Sequence, residues 1–219
     1  MKRIIGLTGA LAMLLAAAPA AAQMMGNPVY VPVGMGTGVS LAGDFGKGIN
    51  DASFKTTYFG ARASVALPFF YVTAGVGSVK PDEDLVGPAE SEMTYGGNIG
   101  FKLLNLPMMP VKVAAQAGAG YLKSGDYKQL DIPVAVALGL SFPMMPVKPW
   151  IAPRLHVRYA DEAGVSDTEV RFGGSVGINA TFGLLGIHAA LDYVKFPDSD
   201  TSPLIFGAGA SVGLSLPGL

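Results

Sequence analysis

Three basic side chains alternate with apolar residues in one segment, at Arg154, His156 and Arg158. In an extended strand, residues two apart point to the same face, so these side chains would share one face. Guanidinium groups on such a face can attract anions or bind carboxylates, and a histidine beside an acid can accept a proton. The same alternation puts other charged residues on polar faces. The candidate set is Arg62, Arg154, His156, Arg158, Glu169, Arg171 and Asp192, with Lys102 and Lys112 on similar faces.

Catalysis is poorly supported by these residue types and spacings. The two histidines, His156 and His188, fall near opposite ends of their segments and are not expected to share a site. An enzymatic alternative is a base formed by His156 with Asp161 or Asp192, because a carboxylate can orient an imidazole. We recognise neither a serine in a strand-to-helix elbow nor a phosphate-binding loop before a helix. We therefore predict that the protein is not an enzyme.

No metal or cofactor site is predicted. The acidic run 82–84 is interpreted as a solvated loop, although such carboxylates can bind a divalent cation. The methionine pairs 108–109 and 144–145 are flanked by prolines, which favours packing at turns over binding of a soft metal. Both features have structural interpretations that need no ligand.

The charged candidates belong to ten segments of alternating polarity. In residues 168–182, the large apolar side chains all fall at even positions, and polar residues or glycines occupy the odd ones. Most segments are 10 to 15 residues long. This exceeds the roughly five or six residues of a common soluble strand and suffices for a tilted strand to cross hydrocarbon. The predicted strands are 35–44, 56–67, 69–79, 92–104, 110–122, 130–142, 148–160, 168–182, 186–195 and 203–216.

The composition is apolar for an exported soluble domain. Half of the residues are hydrophobic, 14% are charged, and the mean hydropathy is +0.42. Beyond the N-terminal run, no stretch of about 18 apolar residues predicts a membrane-spanning helix. The chain has no cysteine, so disulfides do not hold the fold. No basic stripe suggests a nucleic-acid partner.

Acidic and aromatic residues are sorted by the kind of chain reversal. All 16 acids lie in or near every second reversal, and the reversals around Pro68, 107–110, 143–146 and Gly183 carry none. Aromatic residues concentrate near both kinds of reversal, whereas strand middles are aliphatic or glycine. Two aromatic belts around an aliphatic band are typical of a membrane barrel. We predict that the acid-free turns and both termini face the periplasm and that the acidic loops face outward.

The predicted fold is all-β: a closed antiparallel up-and-down transmembrane barrel of ten strands, with short periplasmic turns and longer acidic extracellular loops. A sheet in hydrocarbon must close on itself, because no water satisfies an exposed strand edge. The alternating segment 203–216 and the glycine-rich segment 35–44 are the expected closing partners. Residues 1–22 are typical of a secretory signal, with Lys2 and Arg3 before an apolar run. We expect 23–34 to form a short periplasmic segment and 35–219 to form the barrel.

Over residues 35–216, this pattern resembles the small outer-membrane β-barrel proteins of Gram-negative-type bacteria, in the eight- to ten-stranded class. The resemblance implies a place in the cell outer membrane. The implied partners are outer-membrane lipid, lipopolysaccharide and the barrel assembly machinery. Residues 216–219 lack the aromatic residue with which the last strand usually ends in this class. In this class the assembly machinery reads that C-terminal residue as a signal.

Two interpretations of the charged face remain open. The barrel could be a narrow passive pore with a constriction selective for small, anionic solutes. Alternatively, it could be a structural barrel filled by a salt-bridge network, which we favour because about eight strands enclose just enough space for side chains. The many small inward residues favour the pore, because they leave volume. The same pattern is also compatible with surface binding or adhesion through the loops, with an enzyme at the lumen mouth, and with a soluble exported barrel.

The order of the strands also predicts which charged residues meet. If segments 148–160 and 168–182 pair across the reversal near Gly164, Arg158 lies opposite Glu169. His156 then lies opposite Arg171. We therefore expect a charged cluster in the outer half of the lumen.

Overall fold

The computed structural model describes residues 27–28, 37–82, 90–106, 109–142, 145–162, 164–195 and 202–215. Outside these ranges lie the predicted signal peptide 1–22, most of the segment 23–34, one methionine of each pair, acids 83 and 84, and residues 216–219. Within the described residues, no helix is long and apolar enough to cross a membrane. The division of the chain into 1–22, 23–34 and 35–219 stays a prediction.

Long strands of alternating polarity make up the structure, as the period of two predicts. A short 3-10 turn, Asp51–Ser53, lies between the first two. The strands are β1 (Gly38–Gly48), β2 (Thr57–Ala66), β3 (Phe70–Lys80), β4 (Glu92–Leu104), β5 (Val111–Ser124), β6 (Tyr127–Leu140), β7 (Val147–Glu162), β8 (Val165–Phe182), β9 (Leu185–Lys195) and β10 (Leu204–Ser215).

The strand bounds differ most from the prediction at β1, β6 and β8. β1 ends at Gly48 rather than at residue 44, and β6 and β8 begin at Tyr127 and Val165 rather than at residues 130 and 168. In each case backbone pairing continues past the acidic residue that suggested a loop. Lys47 still pairs with Thr57, for example. The strand therefore continues through the acidic residue, because its backbone still pairs with the neighbouring strand.

The strands close into a ring. Each pairs antiparallel with its neighbour in sequence, and β1 pairs with β10 from Gly38 opposite Ser215 to Gly48 opposite Ile205. No strand edge is left along these pairs, so the backbone polar groups are satisfied within the sheet. The predicted closed, ten-stranded antiparallel barrel is confirmed.

The two faces of the sheet have opposite chemistry. Large apolar side chains such as Leu41, Phe59 and Phe172 point outward and are mostly exposed. The inner face carries small or polar side chains, and Ser64 and Thr94 are buried there. An apolar exterior of this extent is a liability in water but is the surface that lipid contacts in a membrane barrel.

The acid-bearing reversals are of two kinds. Longer stretches of chain, residues 49–56, 81–91 and 196–203, separate three of the strand pairs, and 83–89 and 196–201 lie outside the described residues. By contrast, residues 125–126 alone separate β5 from β6, and residues 163–164 alone separate β7 from β8. Gly125 and Gly164 have φ of 56° and 87°, the left-handed conformation that two-residue hairpins require. These hairpins are short because β5 to β8 extend farther than predicted, so their acids lie along strands.

Ring closure between β1 and β10 predicts a specific cross-link. The chain has no cysteine, so Leu41→Cys with Val212→Cys would introduce two thiols at directly paired positions. Under mild oxidation in detergent, we expect a disulfide that changes mobility on a non-reducing gel. Leu41→Cys with Leu214→Cys is the control, because Leu214 pairs with Val39 and is therefore out of register. Absence of a cross-link in both pairs would contradict the closure, and equal cross-linking of the two pairs would contradict the register.

Candidate functional site

All seven predicted site residues lie on inward-facing strand positions. The pairing of β7 with β8 is the predicted one, with His156 opposite Arg171 and Arg158 opposite Glu169. The structure divides the seven between two charged clusters. The larger, named here the β6–β9 cluster, contains Arg154, His156, Arg158, Glu169, Arg171 and Asp192 together with Asp131.

The most deeply buried ion pair of this cluster joins Arg154 on β7 to Asp192 on β9. Both guanidinium ends donate to the carboxylate, Nη1 to Oδ1 and Nη2 to Oδ2, each at 2.7 Å. Ser175 on the intervening β8 accepts from Arg154 Nη1 at 2.7 Å and donates to Asp192. The residue opposite Arg154 on β8 is Gly173, and the arginine extends along β8 to Ser175, which lies opposite Asp192 of β9. The side chains of Arg154 and Asp192 are 0% and 1% exposed.

A second ion pair of the cluster lies nearer the acid-bearing end of the barrel. Arg158 Nε donates to Asp131 Oδ1 at 2.8 Å, directly across the β6–β7 pair. Gln129 donates to the other oxygen of Asp131 at 2.6 Å and accepts from the Tyr127 hydroxyl at 2.6 Å. Arg171 bonds Glu169, two residues before it on β8. Arg158 therefore binds Asp131 rather than Glu169, the residue opposite it on β8.

Sequence reasoning placed Asp131 and Asp44 among the loop acids and missed their inward role. Asp44, on β1, accepts from Arg62 Nε and Nη2 at 2.9 and 3.0 Å. His188 Nε2, on β9, lies 2.8 Å from Asp44 Oδ1. The strand between them, β10, carries Gly209 at the crossing, where a Cβ would lie 2.5 Å from His188 Nε2. The missed signal was the need of an inward arginine for a carboxylate on a neighbouring strand.

His156 is the exception within this ion-paired interior. It is 1% exposed, and both ring nitrogens lack a hydrogen-bond partner among the described residues. On β7 it lies between Arg154 and Arg158, and it is opposite Pro133 of β6 and Arg171 of β8. His188 belongs to the other cluster, so the two imidazoles serve separate groups of side chains.

Aromatic rings occupy the volume that the inward glycines leave. The ring of Tyr58 lies over Gly60 and Gly77, and the ring of Tyr71 lies over Gly100. A Cβ at Gly177 would lie 2.5 Å from Trp150 Cζ2. At these four glycines a ring therefore lies where the sequence suggested open space. The reason is that glycine alone lets an aromatic ring approach the strand backbone so closely.

This arrangement decides between a membrane barrel and a soluble one. A soluble exported barrel would bury its apolar face and expose its charged face, whereas here Arg154 and Asp192 are inside and Leu41 and Phe172 are outside. The chain is an outer-membrane β-barrel. This outer-membrane barrel has an interior in which Asp44, Asp131 and Asp192 are each bonded to an arginine.

No protein-family model and no curated protein matches the chain. Among solved structures, the barrel is similar to the translocator domain of the autotransporter NalP from Neisseria meningitidis, with a TM-score of 0.49 and 11% identity over 84% of this chain and 90% of that one. It is similar to the N-terminal β-barrel domain of OprF from Pseudomonas aeruginosa, with a TM-score of 0.38 and 9% identity over 81% and 98% of the chains. For the outer membrane protease OmpT from Escherichia coli, the TM-score is 0.39 at 12% identity over 81% and 96%.

At TM-scores below 0.5, these likenesses carry no argument about the role of the outer-membrane barrel. They include a protease and a translocator domain. That the protein is not an enzyme therefore stays a prediction.

The buried pair Arg154–Asp192 predicts a large loss of stability when one partner is removed. Arg154→Ala leaves a buried carboxylate without its cation, which costs about 3–5 kcal/mol in the free energy of unfolding. Urea unfolding in detergent or vesicles would measure it through the fluorescence of Trp150, the chain's one tryptophan. The control is Lys55→Ala, which breaks the exposed pair Lys55–Asp51 (43% and 76% exposed) and should cost less than about 1 kcal/mol. Equal losses would contradict the role assigned to burial.

Proposed function

We propose that the protein is a structural outer-membrane barrel whose lumen is closed by its own side chains. The observation that carries this proposal is the burial of Arg154 and Asp192, which point into the lumen and are 0% and 1% exposed. An open aqueous channel would hydrate the charged side chains that line it. Here the guanidinium and the carboxylate bind each other on both edges instead.

An apolar layer supports the same proposal. Buried inward residues from six strands pack together, and all but two of them are alanines. Trp150 and Tyr71 supply the large rings of this layer, and each has a polar partner: Trp150 Nε1 donates to Asn179 at 3.2 Å, and the Tyr71 hydroxyl donates to Gln116 at 2.5 Å. A dry apolar constriction of this kind resists the entry of ions. Its members are Ala66, Tyr71, Ala114, Ala135, Ala137, Trp150, Ala152 and Ala190.

A selective pore is the weaker interpretation of the same residues. It requires guanidinium groups that are free to attract passing anions. Arg62, Arg154 and Arg158 instead bind Asp44, Asp192 and Asp131 at 2.7–2.9 Å. Their charge is therefore already compensated within the barrel wall. Surface binding through the loops and an enzyme at the lumen mouth have no comparable observation in their favour.

The proposal extends to the surroundings of the barrel. Its apolar exterior would contact outer-membrane lipid, with the acid-free turns in the periplasm. The loops that carry acids would face outward, where divalent cations could bridge them to lipopolysaccharide. Assembly would depend on the barrel assembly machinery.

The closed lumen predicts silent planar bilayers at neutral pH. We expect no discrete current steps from the folded protein, because the charged pairs and the apolar layer exclude ions. The triple variant Trp150→Gly, Arg154→Ser, Asp192→Ser should conduct. It removes the Trp150 ring from the apolar layer and both charges of the buried Arg154–Asp192 pair.

The matched control is Val176→Ala, an outward substitution on β8 that should stay silent. Heat-modifiable gel mobility would establish that every variant is folded. Discrete steps from the unmodified protein would overturn the proposal. A folded but silent triple variant would show that these residues do not form the seal.

A further inference from the structure

The β6–β9 cluster holds one titratable group that its ion pairs do not use. His156 is buried to 1% exposure and has no hydrogen-bond partner for either ring nitrogen among the described residues. A buried polar group without a partner costs free energy, so the burial of His156 needs a physical reason. That reason lies in the charged groups around His156, which is on β7 between Arg154 and Arg158.

Every charged group that faces His156 is already matched. On its own strand, Arg154 and Arg158 flank it; β6 contributes Asp131, and β9 contributes Asp192. From β8, Arg171 lies opposite His156, and Glu169 bonds Arg171. Three arginines thus face three carboxylates, and the cluster is neutral while His156 is neutral. A proton on His156 would leave one positive charge without a counter-charge.

We propose that protonation of His156 loosens the ion pairs of the β6–β9 cluster and lets ions enter the lumen. His156 would then act as a proton-operated latch. The inference depends on the sealed barrel proposed above. The proton would arrive from the acid-bearing end, where the side chains of Arg158 and Glu169 are 21% and 36% exposed. Because neither ring nitrogen has a hydrogen-bond partner among the described residues, water that enters from this end during local opening would deliver the proton.

The β6–β9 cluster can accommodate an imidazolium in two ways, and both loosen its ion pairs. The imidazolium can take Asp131 or Asp192 from its arginine, which then lacks a partner. Alternatively, water can enter to solvate the extra charge, because an uncompensated charge in a poorly hydrated site is costly. Asp192 is the critical acceptor, since it holds both Arg154 and Ser175.

Conductance as a function of pH tests the latch. With the unmodified protein in planar bilayers, we expect silence at pH 7.5 and an open probability that rises about tenfold or more as both compartments are titrated toward pH 4.5. His156→Asn cannot take up the proton and should stay silent over this range. The carboxylates are the same in both proteins, so any response of His156→Asn measures their share.

Ring NMR reports the proton itself. The chain has 2 histidines, so His188→Gln leaves His156 as the one imidazole. Its ring nitrogen shifts should change over the pH interval in which the current appears. Current in the unmodified protein at pH 7.5 would overturn the sealed barrel. Silence down to pH 4.5, an equal response of His156→Asn, or a ring that titrates outside the interval of opening would overturn the latch and leave the sealed barrel standing.

Discussion

The rest of this structure depends on the requirement that backbone hydrogen bonds be satisfied inside the sheet. In hydrocarbon, a strand edge has no water to bind, so the ten strands must close, and β1 must find β10. Closure then creates an enclosed interior whose size follows from the strand number. Inside it, charged side chains such as Arg154 and Asp192 are buried away from water. Their charge and volume must be matched by other inward side chains.

Charge is matched mostly between strands that lie close around the ring. Asp131 meets Arg158 directly across one strand pair. Two further contacts skip a strand. Arg154 reaches Asp192 over β8, where Ser175 bonds both, and His188 reaches Asp44 over β10 at Gly209. A side chain at Gly209 would block the second crossing, because its Cβ would lie 2.5 Å from His188 Nε2.

The sequence was sufficient for the faces of the strands and for their order. Strict alternation put Arg154 and Arg158 inside, and the antiparallel order of neighbouring segments predicted His156 opposite Arg171. The partners of the charges were not predictable in the same way. Asp44 and Asp131 lie near reversals in sequence, and an acid there is usually solvated. Both acids fall at the ends of the predicted strands 35–44 and 130–142, and pairing of β1 and β6 beyond those ends keeps them within the sheet.

The space beside the inward glycines is also smaller than the sequence suggested. Small residues on the inner face leave free space only where no large side chain of that face lies over them. Tyr58, Tyr71 and Trp150 lie on the same face as the glycines, and their rings cover them. The glycines of the wall and the rings packed on them are then one feature, because each ring needs a bare backbone to lie against. In the proposed sealed barrel, inward side chains take the place of a loop or helix plug. The proposed change of state is a charge added at His156, whose ring nitrogens have no hydrogen-bond partner among the described residues.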